Sequence, residues 1–149
     1  MKLNDQIISE KLIIRELRQD ELEQAYHIVK QLRTSVSLED FIKTINTMKN
    51  TGYKMVCLFE DGKIVSFAGF ERKLTLYGDH IWVHELVTDI NERSKGYGKL
   101  LLTYVENIAK EYSLKGIALS SRLEREDAHR FYENIMGYTK ASYLYRKEL

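Results

Sequence analysis

The residue types that bind a phosphate group occur together in one short segment, Arg93-Ser94-Lys95-Gly96-Tyr97-Gly98-Lys99. The segment follows an apolar, strand-like run over 81–88 and precedes the most regular helical pattern of the chain, over 97–112. A helix N-terminus presents unpaired N–H groups and the positive end of the helix dipole, so it attracts anions. Glycines let the backbone approach the anion, and the basic side chains add compensating charge. The segment predicts a phosphate site; a glycine-rich turn that only begins a helix is the alternative.

The glycine spacing excludes the two most common phosphate-binding motifs. A dinucleotide-binding fingerprint needs a third glycine three residues after Gly98, where this chain has Leu101. A Walker loop needs Ser or Thr after Gly-Lys, and Leu100 follows Gly98-Lys99. What remains is the pattern Arg-x-x-Gly-x-Gly, from Arg93 to Gly98.

A carboxylate and an imidazole stand next to each other in the strand-like run before this segment. Glu85 lies among apolar residues, and a carboxylate in such a place is rarely buried unless it is paired or functional. We therefore consider two interpretations of Glu85: a proton acceptor, or a group at a solvated edge or paired with an arginine. His84 would face the other side of the strand if the alternation holds, and it is the second candidate for a base.

Composition and the remaining reactive residues exclude several other classes of protein. Twenty-three Lys and Arg against 22 Asp and Glu leave a net charge of +1, without the basic excess of a nucleic-acid-binding protein. His80 and His84 are about 13 Å apart on an extended strand, too far to share a metal ion. Cys57, the single cysteine, lies in an apolar run, which predicts a buried, inert thiol and a reducing compartment. No apolar run reaches the length of a membrane span, so we expect a cytoplasmic protein with no membrane, metal or nucleic-acid partner.

The apolar periodicity predicts a series of strands and helices that would position these residues. A strand over 12–17 precedes a helix capped by Asp20 and a second helix that begins at Ser37. Asp61-Gly62 predicts a hairpin between strands over 53–60 and 63–72. The further predicted elements are a strand over 81–88, a helix over 97–112, a strand over 117–121, a helix over 128–135 and a last strand, Tyr138 to Arg146. This order predicts one domain over 1–149, a mixed α/β sheet with packed helices, in which 85–121 form a parallel strand–helix–strand unit.

The strand, the loop and the last helix together resemble the GCN5-related N-acetyltransferase (GNAT) family. The Arg93–Gly98 pattern is similar to the acetyl-CoA signature of that family, and Glu85-Leu86-Val87-Thr88-Asp89 precedes it as the family's central strand does. Asp127-Ala128-His129-Arg130-Phe131-Tyr132 resembles the family's last helix, and the order of elements agrees from Leu12 to Arg146. The resemblance implies a mostly antiparallel mixed sheet of about six to seven strands and about four helices. It also implies a V-shaped split between parallel strands near 84–88 and 117–121.

For the cofactor, the resemblance implies acetyl-CoA as the acetyl donor and no metal. The backbone of Leu86, Val87 and Thr88 would pair with the pantetheine arm, and a β-bulge would direct an N–H, that of Val87, at the thioester carbonyl. Arg125 stands where the family commonly has an asparagine that contacts the cofactor. Backbone N–H groups of the loop would hold the pyrophosphate, which assigns Arg93, Ser94, Lys95, Gly96, Tyr97, Gly98 and Lys99.

For catalysis, the resemblance assigns Glu85 as the general base, often acting through water, with His84 in reserve. Tyr132 matches the tyrosine that protonates the departing thiolate, and core packing is its alternative role. Gly137 follows one residue later than in the family pattern, which puts the position of Tyr132 in question. We expect direct acetyl transfer to a primary amine of a small molecule or peptide. The alternative is a non-catalytic CoA-binding regulatory or sensor module.

The acceptor itself has no signature in the sequence. Family members contact it from the first two helices and the hairpin, and a homodimer is compatible with the resemblance. In those elements this chain has four aromatic residues without a telling cluster: Tyr26, Tyr53, Phe70 and Tyr77.

Proline is absent from the chain. The family often places a proline three residues before the signature arginine, and here that residue is Ile90. Proline would fix φ and withhold an N–H, so the sequence predicts a softer start to the loop. We expect residues 89–95 to be mobile without the cofactor and to become ordered when it binds.

Overall fold

Apolar runs of the chain form the strands of one sheet. In the computed structural model, which describes residues 1–149, they are β1 (Gln6–Ile7), β2 (Leu12–Glu16), β3 (Lys54–Glu60), β4 (Lys63–Thr75), β5 (Gly78–Thr88) and β6 (Ile117–Leu119). The six strands follow one another across the sheet in chain order. Neighbours from β1 to β5 are antiparallel, and the sheet contains one parallel pair, β5 with β6. The prediction of a mixed, mostly antiparallel α/β sheet is confirmed.

Four α-helices accompany the sheet: α1 (Leu22–Val29), α2 (Leu38–Lys49), α3 (Tyr97–Glu111) and α4 (Glu126–Arg130). The start of α2 is as predicted, because the Ser37 hydroxyl accepts the N–H of Asp40 at 3.1 Å. The prediction that Asp20 caps α1 is wrong. A 3₁₀ turn over Gln19–Glu21 precedes α1, and in it the Glu21 carboxylate accepts the N–H of Arg18 at 2.9 Å.

The centre of the core is β3, which is buried on both faces. Its residues Met55 to Phe59 each expose 3% or less of their surface. Since successive residues of a strand face opposite sides, helices must cover both faces of the sheet. α1 contacts β4 and β5, and α3 contacts β3, β4 and β5. Together with α2, α1 encloses a hydrophobic cluster that includes Phe41, Ile45 and Phe67.

The chain divides into two compact units, Met1–Ala118 and Leu119–Leu149. The second unit contains α4 and, directly after it, a π-helical turn over Phe131–Ile135. The predicted last strand, Tyr138 to Arg146, is wrong, because residues 138–149 form no strand and 139–149 are exposed. Its apolar side chains are consecutive rather than alternating, and no neighbouring strand satisfies its backbone groups. β6 is also shorter than predicted and ends at Leu119.

Two general features bear on the classes of protein considered above. None of the helices combines the length and the apolar content that crossing a bilayer requires. No three His, Cys, Asp or Glu side chains are grouped so that they could hold a metal ion.

Candidate active site

β5 carries one residue more than its partner strand requires. Gly69 of β4 pairs with Glu85 and Phe70 pairs with Val83, so His84 lies opposite no residue of β4. This is a β-bulge, which interrupts the regular alternation of side chains. The Tyr53 ring lies 5.5 Å from the His84 ring, and its hydroxyl lies 2.6 Å from the Glu85 carboxylate. The prediction that His84 and Glu85 face opposite sides is therefore wrong, since the alternation fails at the bulge.

Glu85 is the one carboxylate of this strand that is both largely buried and hydrogen-bonded to a tyrosine. Its Oε2 accepts the Tyr53 hydroxyl at 2.6 Å, its Oε1 lies 3.9 Å from the Arg33 guanidinium, and its side chain is 16% exposed. Burial raises the pKa of Glu85, although the Tyr53 hydrogen bond and the Arg33 charge oppose the rise. Burial and the neighbouring Glu85 charge raise the pKa of Tyr53 well above its ordinary value, so Tyr53 stays protonated and remains the donor. A carboxylate with a raised pKa is a better proton acceptor near neutral pH.

The hydrogen bond between Tyr53 and Glu85 depends on the absence of a side chain at Gly69. A Cβ at this position would overlap both the Tyr53 hydroxyl and the Glu85 carboxylate. Gly69 thus provides the space in which the two side chains meet, directly across the sheet from Glu85.

A cavity of about 150 Å³ opens beside Glu85 within the first unit. Its polar lining consists of Glu85, Arg33 and the Tyr53 side chain, together with Thr44. The rest of the lining is apolar and comes mostly from the two helices and the segment between them: Val29, Val36, Phe41, Ile45 and Met48. A second cavity, of about 200 Å³, is lined by residues of the N-terminal segment and α3 and contains no residue of β5. The first cavity is therefore the one that contains the largely buried carboxylate of β5.

His84 contributes to this site mainly through its backbone. Its carbonyl accepts a hydrogen bond from Nη2 of Arg33 at 2.8 Å, which fixes the guanidinium at the edge of the cavity. Its imidazole Nε2 lies 3.3 Å from the Glu71 carboxylate, and His84 does not line the cavity.

The outward-facing backbone donors of β5 are those of Leu86 and Thr88. The N–H of Asp89 donates to the carbonyl of Val65 at 2.9 Å, in line with the β4 pairing. Because N–H direction repeats every second residue along a strand, the N–H of Val87 also faces β4. The prediction that the Val87 N–H points at the cofactor is therefore wrong, and the N–H groups of Leu86 and Thr88 point away from β4.

The resemblance implies a bulge in this strand, and its position at His84 determines which N–H groups face away from β4. Upstream of it, the N–H of Ile81 donates away from β4 to the carbonyl of Gly116, at 3.0 Å. Downstream of His84 the N–H groups of the even-numbered residues face away from β4 instead, because the bulge adds one residue to β5.

The predicted phosphate loop leads directly into the N-terminus of α3. Gly96, the N-cap residue, has φ +80° and gives no side-chain cap, and the first backbone bond into the helix comes from Leu100. A Cβ at Gly96 would have no atom within 4 Å, so the backbone there is open on that side. The first N–H groups of α3 therefore have no side-chain cap, which is the arrangement in which a helix N-terminus can receive an anion. Arg93, Lys95 and Lys99 supply nearby positive charge.

The start of the loop is held by a side chain from the turn that follows α1. Ile90, the residue at the family's proline position, donates its N–H to Oε1 of Gln31 at 2.9 Å. Asp89 accepts the N–H of Asn91 at 3.1 Å and caps a 3₁₀ turn over Ile90–Glu92. The N–H that proline would lack thus has a partner in this chain.

These features fit the phosphates and the amide-rich arm of acetyl-CoA. The uncapped, glycine-bearing N-terminus of α3 suits a pyrophosphate, and the outward N–H groups of β5 suit amide carbonyls. Acetyl-CoA supplies the acetyl group as an activated thioester.

In the second unit, Tyr132 lies in the π-helical turn after α4. The N–H of Met136 donates to the carbonyl of Phe131 at 3.0 Å, a five-residue interval that absorbs the one extra residue before Gly137. Burial raises the pKa of Tyr132, and the charge of Arg125 opposes the rise. Its ring packs against Phe131 and Tyr138, at 5.3 Å and 6.0 Å between centroids. A protonated, half-buried phenol can pack and donate a proton.

Cys57 is fully buried in β3, as the sequence predicted. Burial raises the pKa of its thiol, so it carries no thiolate near neutral pH and does not act as a nucleophile.

The comparisons with known proteins agree with this architecture. The sequence model described as "Acetyltransferase (GNAT) family" matches residues 14–138. The chain belongs to this family. It is 38% identical to the uncharacterized N-acetyltransferase YhdJ of Bacillus subtilis (strain 168). The alignment spans 130 residues, which are 86% of this chain and 92% of the relative.

Solved GNAT structures share the fold. A GNAT family acetyltransferase of Staphylococcus aureus subsp. aureus USA300_TCH1516 superposes with a TM-score of 0.77 at 23% identity, over 93% of this chain and 99% of that chain. Aminoglycoside N-acetyltransferase AAC(6')-Iy in complex with CoA gives a TM-score of 0.80 at 15% identity, over 97% of this chain and 100% of that chain. The family match and the N-acetyltransferase relative show that the protein is an N-acetyltransferase.

Three residues of the site have no assigned role in the sequence-based prediction. The sequence indicates Tyr53 only as one of four aromatic residues in the elements that contact the acceptor, and it predicts no role for Arg33 or Gly69. The pairing of Gly69 with Glu85 depends on the bulge, and the approach of Arg33 depends on how α1 packs on β5. Neither leaves a pattern in the local sequence.

Proposed function

We propose that this N-acetyltransferase transfers the acetyl group of acetyl-CoA directly to a primary amine held in the cavity beside Glu85. The observation that carries the proposal is the Glu85 carboxylate: it is buried, has a raised pKa and lines the 150 Å³ cavity. A residue with these properties in a cleft is a candidate for proton transfer.

Glu85 is the general base in this proposal. An amine must lose a proton to attack a carbonyl carbon, and Glu85 takes that proton directly or through a water molecule. Tyr53 keeps the carboxylate oriented through its hydrogen bond, and the nitrogen–carbon bond then forms as the carbon–sulfur bond breaks. His84 is not assigned this role, because its imidazole lies beside Glu71, at 3.3 Å, and does not line the cavity.

The N–H of Leu86, with that of Thr88 as the neighbouring donor, stabilises the carbonyl oxygen as charge develops on it. A donor of this kind contributes about 2.7–4 kcal/mol when its hydrogen bond is made mainly in the transition state. Leu86, Val87 and Thr88 together form the strand segment along which the pantetheine arm binds. The loop residues that bind the pyrophosphate are Arg93, Ser94, Lys95, Gly96, Tyr97, Gly98 and Lys99.

Tyr132 is the proposed acid, and Arg125 a proposed cofactor contact. The tyrosine hydroxyl gives its proton to the CoA sulfur as the thiolate departs. Support comes from the raised pKa of Tyr132, which keeps the hydroxyl protonated, and from the π-helical turn, since such turns are frequent at functional sites.

Free-thiol release with acetyl-CoA and a panel of primary amines tests the proposal. We expect Glu85→Gln to lower kcat/KM by roughly 10²-fold or more while acetyl-CoA affinity, measured by calorimetry, stays unchanged. Tyr132→Phe is expected to lower kcat more than acetyl-CoA affinity. Glu23→Gln and Tyr143→Phe remove an exposed carboxylate and an exposed phenol and serve as matched controls. Absence of acetyl-CoA binding at millimolar cofactor, or full activity of Glu85→Gln, contradicts the proposal.

A further inference from the structure

The cavity beside Glu85 has two charged lining residues of opposite sign. The Glu85 carboxylate and the Arg33 guanidinium are 3.9 Å apart, and the other lining residues carry no charge. The net charge of the lining is therefore zero. Arg33 is fixed by its bond to the His84 carbonyl, which uses one of the five N–H donors of a guanidinium.

This charge balance disfavours a simple cationic amine as the occupant. An ammonium group that pairs with Glu85 uses the negative charge that otherwise balances Arg33. The cavity is then left with a net positive charge. The Arg33 side chain is 44% exposed, so water compensates part of this charge, and the part that faces the apolar lining is unfavourable. A carboxylate on the same molecule restores the balance, and a guanidinium binds a carboxylate with two parallel hydrogen bonds. The lining therefore favours a ligand whose ammonium and carboxylate are close together.

The remaining lining specifies what such a ligand carries besides its charges. Its apolar surface comes from Val29, Val36, Phe41, Ile45 and Met48. An apolar cavity of about 150 Å³ is large enough for a benzene ring. A branched aliphatic or phenyl side chain fits this space, whereas further amines or hydroxyls would lose hydration without gaining partners.

We propose that the acceptor is an apolar α-amino acid, such as leucine or phenylalanine, acetylated on its α-amine. Its ammonium faces Glu85, its carboxylate pairs with Arg33 and its side chain occupies the apolar part of the cavity. The α-ammonium loses one proton to Glu85, and its nitrogen bonds to the acetyl carbon as the carbon–sulfur bond breaks. Tyr132 gives a proton to the departing thiolate, and the second proton that the nitrogen loses restores the Tyr132 hydroxyl. This inference rests on the proposed function, whose base and cavity it uses.

Matched pairs of acceptors test the inference. Leucine is compared with isopentylamine, and phenylalanine with phenethylamine; each pair differs only in the carboxylate. Binding is measured by calorimetry in the presence of CoA, where no transfer takes place, and turnover by thiol release with acetyl-CoA. We expect the amino acid to exceed its decarboxylated partner at least tenfold in both affinity and kcat/KM. Equal or weaker binding of the amino acids overturns the inference, as does a higher kcat/KM for spermidine or kanamycin.

A charge-removing variant locates the effect at Arg33. We expect Arg33→Met to weaken leucine binding at least tenfold and to strengthen isopentylamine binding, because an ammonium then balances the Glu85 charge alone, so that the preference disappears. Lys43→Met is the matched control, because Lys43 is an exposed cation of α2 that does not line the cavity. A preference that survives in Arg33→Met contradicts the assignment.

The two readouts separate the inference from the function on which it rests. Leucine binding without thiol release from any acceptor supports the ligand class and contradicts direct transfer. Thiol release from other amines without leucine binding supports the function and overturns the ligand class.

Discussion

At the scale of single residues, the site depends on three side-chain positions that meet across the sheet. Tyr53 donates to Glu85, and Gly69 leaves the room in which they meet. Burial raises the pKa of both groups, so Tyr53 stays protonated and donates its hydrogen bond to Glu85. The pKa of the proposed base thus depends on its neighbours as well as on its being a glutamate.

Replacing Tyr53 by Phe should change the pH dependence of the enzyme. The Tyr53 hydrogen bond lowers the pKa of Glu85, so its loss raises that pKa further. Since the deprotonated form is the base, the acidic limb of the kcat/KM profile should move to higher pH, with a larger loss at low pH than at high pH. Tyr26→Phe is the control, because Tyr26 donates to the Val36 carbonyl at 2.7 Å and not to Glu85. An unshifted acidic limb in Tyr53→Phe would show that the hydroxyl does not act on the base.

Replacing Gly69 by Ala should reduce both stability and activity. The added Cβ overlaps the Tyr53 hydroxyl and the Glu85 carboxylate, and overpacking of this kind costs about 1–3 kcal/mol. Gly116→Ala is the control, because a Cβ there has no atom within 4 Å. In the double variant with Tyr53→Phe, the loss in unfolding free energy by denaturant titration should be less than additive, since part of the overlap is gone. Strict additivity would argue against the shared space.

At the scale of elements, β5 and the N-terminus of α3 bring the cofactor-binding groups together. The existence and order of most strands and helices could be predicted, because their signals are local. Examples are the Asp61-Gly62 turn, the helical cap at Ser37 and the Arg93–Gly98 pattern. The direction of the Val87 N–H could not be predicted, because the resemblance implies a bulge in this strand but no residue type reveals the position at which it shifts the count. The last strand was mispredicted for a related reason: a strand needs a neighbour as well as apolar residues.

Replacing Gly96 by Ala should weaken acetyl-CoA binding specifically. Gly96 has φ +80°, and a residue with a Cβ pays about 1–2 kcal/mol in that conformation or shifts the loop that precedes α3. Gly52→Ala is the control for strain alone, because Gly52 has φ +100° and equally open surroundings after α2. We expect both variants to lose unfolding free energy and only Gly96→Ala to lose cofactor affinity by calorimetry. Equal affinities in the two variants would contradict a role for this turn in binding.

At the scale of the whole molecule, one short segment touches both proposed substrate sites. Val29 and Arg33 line the acceptor cavity, and Gln31 holds the start of the phosphate loop. A change in this segment on binding one substrate therefore affects the site of the other. Coupling of this kind is reciprocal in free energy: acetyl-CoA changes the affinity for the acceptor by the same factor as the acceptor changes the affinity for acetyl-CoA.

Gln31→Ala should loosen the loop in the free enzyme. It leaves the N–H of Ile90 without its acceptor, so amide exchange over 89–92 should become faster than in the parent protein. In the parent protein, protection over 89–95 should increase when acetyl-CoA binds. Gln24→Ala, an exposed change on α1, is the control. Equal protection over 89–95 with and without acetyl-CoA would contradict the ordering of the loop.

The bulge at His84 also bears on how this protein can vary. The groups that we propose to bind the cofactor at this strand and the loop are main-chain atoms: the N–H groups of Leu86 and Thr88, and those at the start of α3. Replacement of side chains leaves such atoms in place, so cofactor binding can survive extensive divergence of sequence. The acceptor cavity depends instead on particular side chains, Arg33 and Tyr53 among them. We therefore expect the choice of acceptor to diverge among relatives long before the acetyl donor does, even between proteins whose folds superpose closely.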